Sequence, residues 1–191
     1  MSNTSATGGY LTPDAGSLPP EDVALEDVLQ SMVVGISGLP GTMVKPKWQM
    51  QSGPTTPQVP KQPAPSADWC SYGITAIDPD ANAAMTHVGT DNGLDVYLRH
   101  EEIEVLCTFY GPNSMAFAST LRDGIAIPQN MEALRAQKMA YLSVSAIRAV
   151  PEFVNQQWIR RHDILIHLRR QVIRKYPILN ILSAETQFVR G

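Results

Sequence analysis

Residues 104–134 read EVLCTFYGPNSMAFASTLRDGIAIPQNMEAL: an alternating apolar run that stops at Gly111-Pro112, then a helical pattern, then a second short helix opening after Pro128. Val105, Cys107 and Phe109 share one parity, the mark of a strand with one buried face. Gly111 lets the chain turn sharply, and Pro112 is pre-set for the first turn of a helix. Met115, Phe117, Ala118 and Leu121 give that helix a buried side, with Gly124 suited to its C-terminal cap. Asn130 is placed to cap the second helix, with Glu132 in its first turn and Met131 and Leu134 facing inward. The turn displays no nucleophile, metal cluster or phosphate loop, so the stretch reads as scaffold.

Upstream, 94–110 is one long extended run, with Leu94, Val96 and Leu98 on one parity and Ile103, Val105, Cys107 and Phe109 on the other. The phase flips between His100 and Glu102, where a bulge or tight turn is expected. Residues 69–78 alternate as a strand, 83–88 form a weaker one, and GTDNG at 89–93 is a turn signal. Residues 43–50 suit a short edge strand, because Pro46 cannot donate to a ladder. Prolines 54, 57, 60 and 63 recur every third residue, the repeat of a polyproline II segment, so 51–67 reads as an exposed Pro-rich loop. Leu25, Val28, Leu29, Met32, Val33 and Ile36 make one helical stripe, preceded by acids and stopped at Gly38 and Pro40. Residues 1–20 are rich in Ser, Thr, Gly and Pro and read as a flexible arm ahead of a single domain over 21–191.

Downstream, 139–149, 157–175 and 178–189 read as strands, the last two separated at Pro177. Ile164, Leu165, Leu168 and Val172 also suit a helix, but the Ile164, Ile166, Leu168 alternation favours a strand over 162–173. The expected fold is α+β, a mainly antiparallel sheet with helices packed on one face.

The chain has 191 residues, 43% of them hydrophobic and 17% charged, ordinary for a folded domain. The slightly low charged fraction suits a surface that is partly covered by other subunits. No apolar run approaches the roughly 18 residues of a membrane span, and the N-terminus has no basic start or apolar core of a secretory signal. Cys70 and Cys107 read as buried free thiols, able to pair only if their strands are neighbours. The net charge of −3 hides an asymmetry. Residues 1–44 carry five acids (Asp14, Glu21, Asp22, Glu26, Asp27) and no base, whereas 151–191 carry seven bases against three acids. Opposite charges at the two ends can meet between neighbouring copies, can mark nucleic-acid binding, or can be solvated surface.

Catalytic and metal motifs fail one by one. GISGLPG at 35–41 lacks the Gly-Lys-Ser/Thr of a phosphate loop, and HEEIE at 100–104 lacks the second histidine of a zinc-protease helix. DPDANA at 78–83 has Ala83 where a calcium loop needs glycine. His162 and His167 fall on opposite faces of a strand, which argues against a metal site with Asp163.

FYGPNSMAFASTLRDGIAIPQNMEAL, followed by VPEFVNQQWIRRHDILIHLRRQVIRKYPILNILSAE, looks like the neck or tail terminator family of contractile-tailed phages and prophages. The likeness also takes in the first helix with GISGLPG and VKPKWQ, and DWCSYGI leading to RHEEIEVLCTFYGP, most of 22–186 in all. It implies a structural virion protein without catalysis or cofactor, folded as a sheet covered by helices. It implies a homohexameric ring in the neck that caps the tail tube and joins it to the head connector. The ring would be assembled in the host bacterial cytoplasm, with the tube, connector and sheath as candidate neighbours and genomic DNA passing through the channel. A ring needs two different patches that meet on neighbouring copies. Glu21, Asp22, Glu26 and Asp27 against Arg160, Arg161, Arg169 and Arg170 are the candidate pair, with Arg122, Asp123, Gln129 and Asn130 as a second contact. Two other readings stand beside this one at this stage. One is another head-tail connector or baseplate ring protein. The other is a nucleic-acid-binding module using the basic C-terminal segment, disfavoured by a pI of about 5.8.

Overall fold

The protein is described from a computed structural model, covering residues 7–48, 62–89, 93–154 and 156–179. The strand of the opening stretch is longer than the stretch itself: β4 spans Leu94–Tyr110 without a break. The turn or bulge expected between His100 and Glu102 is absent from it. The change of phase coincides instead with a change of partner. Leu94–Leu98 pair with β3, Ala84–Val88, whereas Glu101–Tyr110 pair with β2, Trp69–Pro79. The register shift lies on β2, between Ile74 and Ala76.

Among the described residues, seven strands share one sheet in the order β1-β2-β4-β9-β5, with β3 also on β4 and β6 also on β9. β1 is Val44–Pro46, β5 Met139–Val144, β6 Arg148–Ala149 and β9 Arg161–Pro177. β1 runs parallel to β2 at the edge where Pro46 belongs; the β2–β4, β5–β9 and β6–β9 pairs are antiparallel. The ambiguous 162–173 is strand throughout. The strand expected over 139–149 is split into β5 and β6, and beyond residue 179 the strand expected over 178–189 lies outside the described residues, as does 51–61 of the Pro-rich loop.

The chain divides into two compact units. The larger comprises Pro20–Pro79 and His100–Gln171; the described residues of the smaller lie ahead of Pro20, over Asp80–Arg99 and from Val172 on. In the larger unit, helices α1 (Asp22–Ser37), α2 (Ser114–Gly124) and α3 (Glu132–Ala136) pack on one face of the sheet. Leu25, Leu29 and Val33 of α1, Ala118 and Leu121 of α2 and Leu134 of α3 meet Tyr72, Val105, Cys107, Phe109, Ile164, Ile166 and Leu168 of the sheet. The fold is thus α+β with a mixed, mostly antiparallel sheet. In the smaller unit the Asp14 and Lys175 backbones join (Asp14 N–H to the Lys175 carbonyl, 2.7 Å), and the Lys175 N–H donates to Ser17 Oγ at 3.0 Å.

Three local assignments change. Gly38, at φ 78°, ends α1 in the left-handed conformation as its position demands, but Gly124 does not cap α2. It lies inside the helix, where a Cβ would stand 2.5 Å from Ile36 Cγ2, so it is the space that lets α2 approach α1. Asn130 does not cap the helix that follows it: its Nδ2 donates to the Gly124 carbonyl at 2.8 Å and closes the end of α2. Met115 is half exposed, because the buried side of α2 runs through Ser114, Ala118 and Leu121. Gly111 is required at φ 106°, with Ala67 O only 2.5 Å from where its Cβ would be. Beside it the Asp68 carboxylate accepts from Asn113 N and Nδ2 at 2.8 and 2.9 Å, supplying from another segment the cap that α2 lacks locally.

Candidate assembly surfaces

The acidic patch is the start of α1. Glu21, Asp22 and Asp27 are exposed and Glu26 is half-buried. α1 contains Asp22, Glu26 and Asp27 and no base. Its acids bear on the core as well: Tyr72 donates its hydroxyl to the Glu26 carbonyl at 3.0 Å, and burial, with Glu26 and Asp27 nearby, raises its pKa well above the ordinary tyrosine value.

The arginines divide sharply. Arg160 is exposed, its Nη1 only 3.3 Å from the Pro112 carbonyl. Arg161, one residue on, grips both Asp163 oxygens at 2.9 and 2.7 Å, reaches Glu152, and lies 5.8 Å from the centre of the Tyr110 ring, which stacks on Trp69. Asp163 in particular holds this guanidinium even more firmly protonated than usual. Arg170 is buried: Nη1 donates to the Pro20 carbonyl and Nη2 to Glu101, both at 2.7 Å. Arg169, on the opposite face of β9, is half-buried. At the junction of α2 and α3, Arg122 and Asp123 pair with each other at 2.8 Å, which lowers the Asp123 carboxyl and raises Arg122. Gln129 is exposed and Asn130 closes α2.

Two further surfaces escape a reading by charge. The first is a two-stranded hairpin, β7 (Glu152–Val154) and β8 (Gln157–Ile159), with Gln156 at φ 62° in its turn. It pairs Phe153 with Trp158, whose rings sit 5.1 Å apart at 60% and 72% exposure. Its signal was the alternation EFV and QWI around Asn155-Gln156, hidden because Trp158 leads directly into the long β9 run. The second is a groove of about 370 Å³ between α1 and α3, lined by Val28, Met32, Gly35 and Ile36 on one side and Ala133 and Leu134 on the other.

The polar pairs elsewhere are closed on themselves. Ser114 Oγ meets His162 Nδ1 at 2.9 Å, but the serine is wholly buried at the start of α2, so no substrate atom reaches it. His167 pairs with Glu102 at 2.8 Å, which separates it from His162 as strand alternation requires. Cys70 and Cys107 are buried free thiols on neighbouring strands, offset by two residues across the β2–β4 ladder.

No curated protein matches the chain significantly. A sequence profile described as phage neck terminator protein matches residues 23–191, which takes in α1, the sheet, α2, α3 and the aromatic hairpin. The match covers all but the first 22 residues and makes the chain a member of the phage neck terminator family, structural proteins of the virion.

Proposed function

We propose that this chain is a non-catalytic ring protein of the neck, six copies of which close the tail tube and join it to the head connector while DNA passes through the centre. The observation that carries this reading is the family match over residues 23–191. The surface supports it: a helix with acids and no base, and an exposed arginine, Arg160, at the foot of an aromatic hairpin give one copy two different patches of opposite sign. Among the twelve residues singled out by charge or by their place at the two-helix junction, Asp22, Asp27, Gln129 and Arg160 are the ones offered for contact between copies, because Arg161 and Arg170 are committed within the chain. The part of the arm ahead of Asp14 and the Pro-rich loop are offered for contacts with the adjoining ring, since Asp14 and Ser17 are bonded to Lys175 within the chain.

The test is to add the purified protein to tail tubes of its phage and image the ends. The expected result is a disc at one end of each tube and no further growth there. Tubes that keep elongating with both ends bare would count against the reading.

A further inference from the structure

The aromatic hairpin and the α1/α3 groove lie at opposite ends of the larger unit. The hairpin is tied to the start of α2 through the Gly111 N–H to Arg160 carbonyl bond, 3.1 Å. The groove includes Asn130, which is bonded to Gly124 at the far end of α2. The 11 residues of α2 separate these ends by about 16 Å. Along β9, Arg161 adjoins the hairpin whereas Arg170 faces Met139, just beyond α3, a span of about 30 Å at strand rise. Within one chain the two surfaces cannot meet. Between copies they form a head-to-tail pair, the kind of contact that closes a ring.

Their chemistry matches. Phe153 and Trp158 are exposed side by side, and aromatic residues of this size bury roughly 150–250 Å² each when they dock. The groove is apolar along Val28, Met32, Ile36 and Leu134, and it has room in its floor, since a Cβ on Gly35 would meet nothing within 4 Å. On its α1 side the groove is flanked by acids, opposite in sign to the bases beside the hairpin, whereas exposed Arg135 and Lys138 lie along its α3 side. Asp27, exposed and next to Val28, belongs to a helix without a base, and Arg160 and Arg148 are exposed beside the hairpin. We propose that the Phe153/Trp158 hairpin of one copy seats in the α1/α3 groove of the next, with Arg160 against the acids of α1. This rests on the ring reading above and names the contact that builds the ring.

The experiment uses the full chain, with the concentration midpoint of assembly read by analytical ultracentrifugation. Trp158→Ala removes the anchor from an exposed position. Gly35→Leu fills the groove and replaces a glycine inside a helix, so the monomer should be at least as heat-stable as the wild type. Both variants are expected to raise the assembly midpoint about tenfold or more. Trp158 replaced by the photo-crosslinker benzoylphenylalanine should give a covalent ladder whose linked peptides fall within 22–37 or 128–137. Wild-type rings matched by equally good rings from both variants would overturn the contact and leave the ring reading standing. Rings that form normally but no longer cap tail tubes would also overturn it, by assigning the hairpin to the tube. A wild-type chain that stays monomeric throughout would remove the ring reading and the contact together.

Discussion

Arg170 shows how far a residue's role departs from its place in a charge count. In sequence it is one of a basic cluster; in the fold it is buried on β9 between Glu101 and the Pro20 carbonyl, and its Nε has no hydrogen-bond partner among the described residues. Such an ion is tolerable only while its partner remains, so Glu101→Ala should cost about 3 kcal/mol of stability, measured by chemical denaturation. A loss under ~1 kcal/mol would show that the pair is solvated. Cys70 sets a pH limit. Burial first, then hydrogen bonding with Cys107, pushes its thiol well above the ordinary range. The folded state therefore keeps a proton that the unfolded chain releases near pH 9, so this contribution is intact below that pH and declines above it, by up to about 1.4 kcal/mol per pH unit. Tyr72 and Tyr110, also raised mainly by burial, act in the same direction from about pH 10. Lys47, lowered chiefly by burial, acts in the opposite one. Denaturation at pH 8, 9 and 10 should show stability falling in the wild type and falling less steeply in Cys70→Ala. Equal slopes would remove Cys70 as the cause.

At the scale of elements, patterns with one period and one partner were legible in the sequence. The α1 stripe, its stop at Gly38, the edge strand at Pro46 and the Gly111 turn all follow from local chemistry and reappear in the fold. What failed depends on contacts distant in sequence. The phase flip in β4 reflects two different partner strands, which no local pattern reveals. Gly124 looks like a cap until Ile36 of α1 is seen against it, and the capping carboxylate of α2 comes from Asp68, far upstream. Of the surfaces proposed for assembly, charge in the sequence pointed to α1 and Arg160 as candidates, whereas the hairpin and groove needed the fold. Gly73 illustrates the same limit. A Cβ there would lie 2.6 Å from Trp48 Cζ3 and 2.9 Å from Lys47 Cβ, so this glycine lets the chain after β1 cross β2. Gly73→Ala should weaken the Lys47 N–H to Tyr72 carbonyl bond, 2.6 Å in the wild type. Faster amide exchange at Lys47 with little change at Ile164 or Leu168 is the expected pattern; unchanged protection at Lys47 would contradict it.

For the whole molecule, family membership fixes a structural part in the phage neck, and the ring proposed above would be built through the two different surfaces of the larger unit. If the acids of α1 meet Arg160 of the next copy, Arg160→Glu should weaken assembly several-fold in low salt, and adding Asp27→Arg to the same chain should restore much of it. A double variant no better than the single one would separate the two charges. The most direct measurement is negative-stain microscopy of the purified full chain over a concentration series. The proposed assembly should appear as rings of six subunits with an open centre, growing more numerous with concentration. Monomers at every concentration, or open filaments without closure, would contradict it.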